Sequence, residues 1–388
     1  MIYLDWAASA VPYADEIEAA YRETSTVFAN PSAQHRFGKK ARELLENARS
    51  RCAAALGVPS NTLYFTSGAS ESNSLALLSL LTRPNSGSLL ISSIEHPSVR
   101  EQATVLERCG WAVLSIPSDK NGRISPDAVL KTIREDTALI AIMAVNNEIG
   151  SIQPIRAIAE AIRTHTAGKR YVHFHVDMTQ SIGKLPVSDL ALADVSSASM
   201  SAHKIGGPRG IGLLYLKRPF SSGIRGGAQE RTTRPGTENL TGACALARCI
   251  EKTYANFQEK LKRAGELSRF ITESLRHIPE ASLIPAGRSL SERERGGEGT
   301  DFSPWIIQVS FKKLPAEVMM RCLSDRGIFV SAGSACSSKK KIRPILEALS
   351  VAPEIAQNAL RISIGPATTK SELEFFIAAV KEILKEFE

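Results

Sequence analysis

The apolar run at residues 138–145 constrains this chain more than any other feature. A strand with water on one face alternates polar and apolar residues. A strand without that alternation is covered on both faces, as in a parallel sheet packed under helices. Further short strands are expected at 63–65, 88–92, 112–116, 171–176, 195–200 and 212–216. Helical patterns separate them, at 30–56, 74–81, 99–109, 125–134 and 155–165. This alternation predicts an α/β domain built on a largely parallel sheet. After Thr241 the character changes. A long helix is expected over 243–278, followed by a polar, Gly/Ser-rich surface loop over 286–304. Strands at 305–310, 328–331 and 360–364, with helices at 316–326 and 370–388, then read as a second, α+β domain.

The chain's 388 residues correspond to two or three domains at ~150 residues each. Hydrophobic residues make up 43% and charged residues 23%, which excludes disorder, collagen and small disulfide scaffolds. No apolar run approaches the ~20 residues that cross a bilayer. The start, Met1-Ile2-Tyr3-Leu4-Asp5-Trp6, puts an acid where an export signal needs an apolar core, so a cytoplasmic protein is expected. The net charge of +8 permits an anionic ligand. Aromatics are few and no basic stretch interleaves them, which argues against nucleic-acid binding. None of the six cysteines forms a CxxC pair, so zinc-finger and thioredoxin readings fail. Cys52, Cys109, Cys244, Cys249 and Cys322 lie in helix-like segments and are expected to be buried packing residues.

Three short segments carry chemistry. Gly68-Ala69-Ser70 lies between a strand and a helix, where free N–H groups make either an anion site or an ordinary helix cap. Asp177 ends the strand Phe174-His175-Val176, at the edge where ligands of open α/β sheets bind. Gln180 follows three residues on and can face the same crevice. Lys204 follows another short strand and precedes Gly206-Gly207-Pro208. Alone it is a surface charge or a desolvated nucleophile. Together, an anion cradle, a strand-end Asp and a strand-end Lys are the three attachments that pyridoxal phosphate needs: one for the phosphate, one for the pyridine nitrogen, one for the imine.

On these residues the chain resembles the class V aminotransferase-like, fold-type I pyridoxal-phosphate enzymes, and within them the cysteine desulfurases of the NifS/IscS type. The resemblance runs from Tyr3-Leu4-Asp5 to Gly365. It includes Asn30-Pro31-Ser32, Thr66-Ser67-Gly68-Ala69-Ser70-Glu71, Glu95-His96, Asn146-Asn147-Glu148 and His175-Val176-Asp177. It continues through Gln180-Ser181-Ile182-Gly183-Lys184, Ser201-Ala202-His203-Lys204, Gln229-Glu230, Arg234-Pro235-Gly236-Thr237, Ser334-Ala335-Cys336-Ser337 and Arg361-Ile362-Ser363.

The resemblance implies a large domain, 15–250, with a mainly parallel seven-stranded sheet. It implies a smaller α+β domain made of 1–14 and 251–388, carrying a cysteine loop at about 331–343. Lys204 would hold the cofactor covalently and move the substrate Cα proton. Asp177 would pair with the pyridinium and Gln180 with the phenolic oxygen. Ala69, Ser70, Ser201 and His203 would hold the phosphate, joined by Thr237 from the other subunit of a homodimer. His96 would stack on the ring and serve in proton transfer; the plain alternative is a helix-start histidine before Pro97. Asn147 and Arg361 would bind the substrate carboxylate, with a sheet-surface ion pair as the alternative for Arg361. Cys336, in a run of small residues, would take sulfur from L-cysteine as a persulfide, leaving L-alanine, and pass it on for iron–sulfur assembly or tRNA thiolation. Lys339, Lys340 and Lys341 are either a solvated face or a docking patch for an acidic acceptor. A selenocysteine lyase or a C–S lyase is the nearest rival, and a transaminase a more distant one. Two departures from the family pattern stand out. Trp6 follows Asp5 where an amide is usual, which is expected to alter the site entrance. Met178 follows Asp177 where a small residue is usual, and is expected to crowd the ring.

Overall fold

The computed structural model describes residues 1–288, 301–333 and 343–387. Twelve strands are found among them. They are β1 (Ile2–Tyr3), β2 (Leu63–Thr66), β3 (Ser88–Ser92), β4 (Ala112–Ile116), β5 (Thr137–Met143), β6 (His173–Asp177), β7 (Ser197–Ser201) and β8 (Gly212–Leu216), then β9 (Ala281–Ile284), β10 (Ile306–Phe311), β11 (Ile328–Phe329) and β12 (Ala359–Ser363). β2 to β8 form one seven-stranded sheet in the order β2-β8-β7-β6-β5-β3-β4. Only β8 opposes its neighbours; the other contacts are parallel. The expected mainly parallel α/β sheet is therefore present, and the apolar run that announced it is β5, buried along its whole length.

Register brings the chemistry to one edge. Met143 pairs with Asp177, and Asp177 with Ser199. Gly212, at the start of antiparallel β8, pairs with both Ser201 and Thr66. A Cβ on Gly212 would lie 2.5 Å from the Met200 carbonyl and 2.6 Å from the Gly68 Cα. Only glycine lets β8 begin directly beneath the turn that opens the next helix.

The helices follow from caps and apolar stripes. Arg36–Leu56 begins where the His35 side chain accepts from the Gly38 N–H, and ends at Gly57 in the left-handed region. Leu45, Ala48, Cys52 and Leu56 form its buried face. Lys370–Glu386 starts in a reciprocal capping box between Thr369 and Glu372. Three expectations need correction. The long helix over 243–278 is two helices, Leu240–Tyr254 and Phe257–Arg276, broken where Asn256 turns left-handed at φ 53°. The helix expected at 74–81 starts earlier, at Ala69 directly after Gly68, so its N-terminus lies at the sheet edge. Cys109 is exposed at the end of the helix Pro97–Arg108, while Cys52, Cys244 and Cys249 are buried and Cys322 half-buried.

A second hydrophobic cluster joins Leu4 and Ala7 to Trp305, Phe311, Ile362, Phe376 and Ile383. It sits on the antiparallel sheet β12-β10-β9. The first residues thread into it: β1 pairs in parallel with β11, the Ser363 N–H donates to the Leu4 carbonyl at 2.8 Å, and the Ala7 N–H donates to Ser363 Oγ at 2.9 Å. Most of the polar loop over 286–304, together with Cys336, Lys339, Lys340 and Lys341, lies outside the described residues. No described helix is long and apolar enough to cross a membrane.

Candidate active site

A cavity of about 570 Å³ opens at the carboxyl edge of the seven-stranded sheet. At one end Ala69 and Ser70 open the helix Ala69–Leu78, whose first-turn N–H groups have no partner inside the helix. The helix start is pinned to the sheet, because Thr66 Oγ1 meets Ser72 Oγ at 2.9 Å and Ser72 Oγ donates to the Leu213 carbonyl at 3.1 Å. Ser201, ending β7, and His203, in the turn after it, line the same cavity. Burial, with Lys204 and Arg209 nearby, pushes His203 down to about 4, so it is neutral at pH 7. Glu71 also lines the cavity, but its carboxylate is engaged by the Ser67 N–H and by Arg234 Nε at 3.1 Å.

Asp177 is buried and fixed on both oxygens. Oδ1 accepts from the Thr179 N–H at 2.9 Å and Oδ2 from Asn73 Nδ2 at 2.9 Å. Asn73 Oδ1 meets His175 Nε2 at 2.8 Å, and His175 Nδ1 meets Ser197 Oγ at 2.7 Å. Burial lowers the pKa of His175, which keeps the ring neutral beside the carboxylate.

Lys204 Nζ donates to the carbonyls of Ala7 and Ala8, each at 2.8 Å. Gln180 Nε2 donates to the same Ala7 carbonyl at 2.8 Å. The N-terminal segment thus forms one wall of the cavity and holds the lysine against it.

His96 caps the helix Pro97–Arg108 and lines the cavity as well, so the two readings of this residue are not alternatives. Its Nδ1 accepts from the Ser98 N–H at 3.1 Å, which assigns the proton of the neutral ring to Nε2. Burial lowers its pKa, against the pull of Asp177. Asn147 and Arg361 close the far side. Arg361, in the centre of β12, is buried; its Nη1 donates to the Asn147 carbonyl at 2.9 Å and its Nη2 to Asp5 Oδ1 at 2.8 Å. It is an ion pair and a cavity residue at once. Asn147 Oδ1, Thr179 Oγ1 and Arg361 Nε are buried without a partner among the described residues.

Several functional neighbours escaped sequence reasoning. Asn73 carries no local signal, because its partners Ser98, His175 and Asp177 are distant in sequence, and Ser98 is marked only by standing two residues after His96. Arg209, exposed at the cavity between Pro208 and Gly210, was legible as a cation next to a strand-end Gly-Gly-Pro. The two departures act elsewhere. Met178 is fully buried in the main core and does not line the cavity, because successive strand residues face opposite sides. Trp6 packs on Gly365, where a Cβ would meet its ring at 2.0 Å, and its indole N–H donates to the Tyr3 carbonyl at 3.0 Å. It too lies outside this cavity. Thr237 is exposed and outside it as well, and Cys336 lies outside the described residues.

The aminotransferase class-V family model matches residues 2–376. The chain belongs to the class-V aminotransferase family. Cysteine desulfurase IscS of Dictyoglomus turgidum is 33% identical over 99% of this chain and 94% of its own length. A solved NifS-like protein superposes with a TM-score of 0.87 at 30% identity, covering 99% of both chains. SspA, solved in complex with cysteine, superposes with a TM-score of 0.78 at 31% identity over 95% of this chain and 100% of its own. Class-V aminotransferases use pyridoxal phosphate, and the residues present fit it. The cavity offers an open helix N-terminus, a carboxylate fixed at a strand end and a lysine amine on the wall. It also offers buried polar atoms without partners, on Asn147 and Thr179.

Proposed function

We propose that this class-V aminotransferase family member is a cysteine desulfurase. It converts L-cysteine to L-alanine and leaves the sulfur on Cys336 as a persulfide. Pyridoxal phosphate, when bound, supplies the electron sink that makes the substrate Cα proton removable. In this reading the N–H groups of Ala69 and Ser70, with Ser201 and His203, take its phosphate. Asp177, held by Asn73 and the Thr179 N–H, keeps a negative charge at the pyridine nitrogen. The Gln180 amide would donate to its phenolic oxygen, and Lys204 would hold it and then move the substrate Cα proton. Arg361 and Asn147 bind the substrate carboxylate, and neutral His96, carrying its proton on Nε2, donates that proton and later recovers it. The thiol of Cys336 takes the sulfur while the substrate carbon regains a proton. Cysteine and thiol thus become alanine and persulfide, without loss of ammonia and without an external oxidant.

The observation that carries this reading is the convergence of Lys204, Asp177, Asn147 and Arg361 on one cavity. A relative named cysteine desulfurase and a neighbour solved with cysteine support the substrate. The reading extends to a homodimer with shared sites: Thr237 is exposed away from its own cavity, as a residue serving a partner's site must be. It also extends to a two-domain division at 15–250, against 1–14 with 251–388, supported by the separate cluster that gathers Leu4 with the C-terminal strands. The sulfur would pass to an iron–sulfur scaffold or another acceptor protein in the cytoplasm. The test is product analysis with L-cysteine and a reductant. Equimolar alanine and sulfide support the proposal; pyruvate and ammonia would make the protein a lyase.

A further inference from the structure

An acid stands at the mouth of the anion cradle. Glu71 lies in the first turn of the helix Ala69–Leu78 and lines the cavity beside Ala69 and Ser70. A carboxylate there gains from the helix dipole, and by the same field it competes with any other anion at that helix start. Its Oε2 accepts from the Ser67 N–H, and Arg234 Nε donates to its Oε1 at 3.1 Å. The Arg234 and Glu71 side chains are 25% and 23% exposed, so water and salt screen this pair less than one on the open surface. Arg234 arrives from 163 positions further along the chain.

The segment that brings Arg234 there is held against strain. Glu230, Arg231 and Thr232 all stand in the left-handed region, at φ 44°, 54° and 68°. Residues with a Cβ are strained in that region, and the strain persists only where the surroundings enforce it. The enforcement comes from β2, the edge strand of the large sheet. Glu230 Oε2 accepts from the Phe65 N–H at 2.8 Å. Arg49 donates to both oxygens of Glu230, at 2.7 and 2.8 Å, and to the Leu63 carbonyl at 3.0 Å. Arg231 donates to the Asn61 carbonyl at 3.0 Å. The Arg49–Glu230 pair is buried, and neither residue lines the cavity. The clamped turn continues through Thr233, whose carbonyl accepts from Ser222 Oγ at 2.7 Å, to Arg234.

We propose that Arg234 is a positioning residue: by neutralising Glu71 it keeps the helix start at Ala69 and Ser70 open to the phosphate of pyridoxal phosphate. This rests on the reading that this helix start takes that phosphate. Without Arg234, the phosphate would meet an uncompensated carboxylate of its own sign. The test titrates the cofactor-free chain with pyridoxal phosphate and, separately, with pyridoxal, which lacks the phosphate, and follows the absorbance of the chromophore formed with Lys204. Wild type, Arg234→Gln, Glu71→Gln and the double variant are compared. Wild type is expected to prefer pyridoxal phosphate. Arg234→Gln is expected to lose about tenfold in affinity for pyridoxal phosphate and little for pyridoxal. Arg234→Lys, which keeps the charge, is expected to hold most of the preference. Adding Glu71→Gln to Arg234→Gln is expected to restore most of what was lost, because the charge that needed neutralising is gone. An equal loss for both ligands would make Arg234 merely structural and overturns the inference. So does a phosphate-selective loss that Glu71→Gln fails to restore, which would mean that Arg234 acts on the phosphate directly or through Thr237. Both outcomes leave the proposed function intact. A wild type with no preference for pyridoxal phosphate overturns the inference and the reading of the cradle together. If Arg234→Gln does not fold, Arg234→Met, which keeps the stem and removes the charge, is read by the same outcomes.

Discussion

Arg361 Nη2 lies 2.8 Å from Asp5 Oδ1, so the guanidinium assigned to the substrate carboxylate already has an anionic partner. Arg361 is 2% exposed at its side chain and Asp5 21%. Removing one partner of a fully buried ion pair costs ~3–5 kcal/mol, because the other charge is left desolvated. Asp5 is partly wet, so Asp5→Asn is expected to cost about 1–3 kcal/mol. Urea unfolding measures this; a loss below ~0.5 kcal/mol would show that Arg361 does not need its partner.

Half-buried, desolvated histidines shape the acid limb of stability. Burial pushes His173 down to about 3 and His203 to about 4, against an ordinary value of 6.5. Between 6.5 and those values the unfolded chain binds protons that the folded chain refuses. Stability therefore rises with pH through this window and is lost as pH falls below 6.5. His173→Gln removes one such group and is expected to flatten the slope by up to ~1.4 kcal/mol per pH unit. Unfolding free energies at several pH values between 4 and 6.5 check this; parallel curves for the two proteins would contradict it.

Glu95 has the opposite sign. Burial, with Asp177 adding to it, raises its carboxyl from 4.5 to about 8, although Ser92 and the Met143 N–H donate to it. The folded chain keeps this proton after the unfolded chain has lost it, so this group costs stability as pH rises from 4.5 to about 8. Glu95→Gln preserves the acceptor oxygen and removes the ionisation. Its stability relative to wild type is expected to improve steadily from pH 5 to pH 8, and thermal unfolding across that range would show no such trend if the carboxyl were ionised in the fold.

Gly365 gives way to Trp6 rather than to backbone strain. An added Cβ would meet three indole carbons at 2.0 to 2.3 Å. Gly365→Ala is expected to cost about 1–3 kcal/mol by overpacking, and Trp6→Leu in the same chain to recover part of it. Strict additivity of the two changes would contradict this contact.

Much of this arrangement was legible in the sequence because strand ends carry it. Asp177, Lys204 and Gly68 each stand at or just after the end of a short strand, and a mainly parallel sheet collects such ends on one edge. Other features had no local signature. β1 is two residues long and exists only because β11 pairs with it. Asn73 and His175 meet across the fold, 102 positions apart, to steady the carboxylate. The break at Asn256 rests on one left-handed residue inside a pattern that otherwise continues. Met178, directly after the end of β6, turns into the main core and away from the cavity side that Asp177 faces.

Cys336 is proposed to take the sulfur of L-cysteine. The most direct measurement is a single turnover of the cofactor-loaded chain with L-cysteine and no reductant, followed by mass spectrometry of the peptide containing Cys336 and assay of alanine, beside Cys336→Ala. This peptide is expected to gain one sulfur atom as one alanine forms per site, and the variant, still yellow, to yield almost no alanine. Pyruvate in place of alanine, or undiminished alanine from Cys336→Ala, would contradict it.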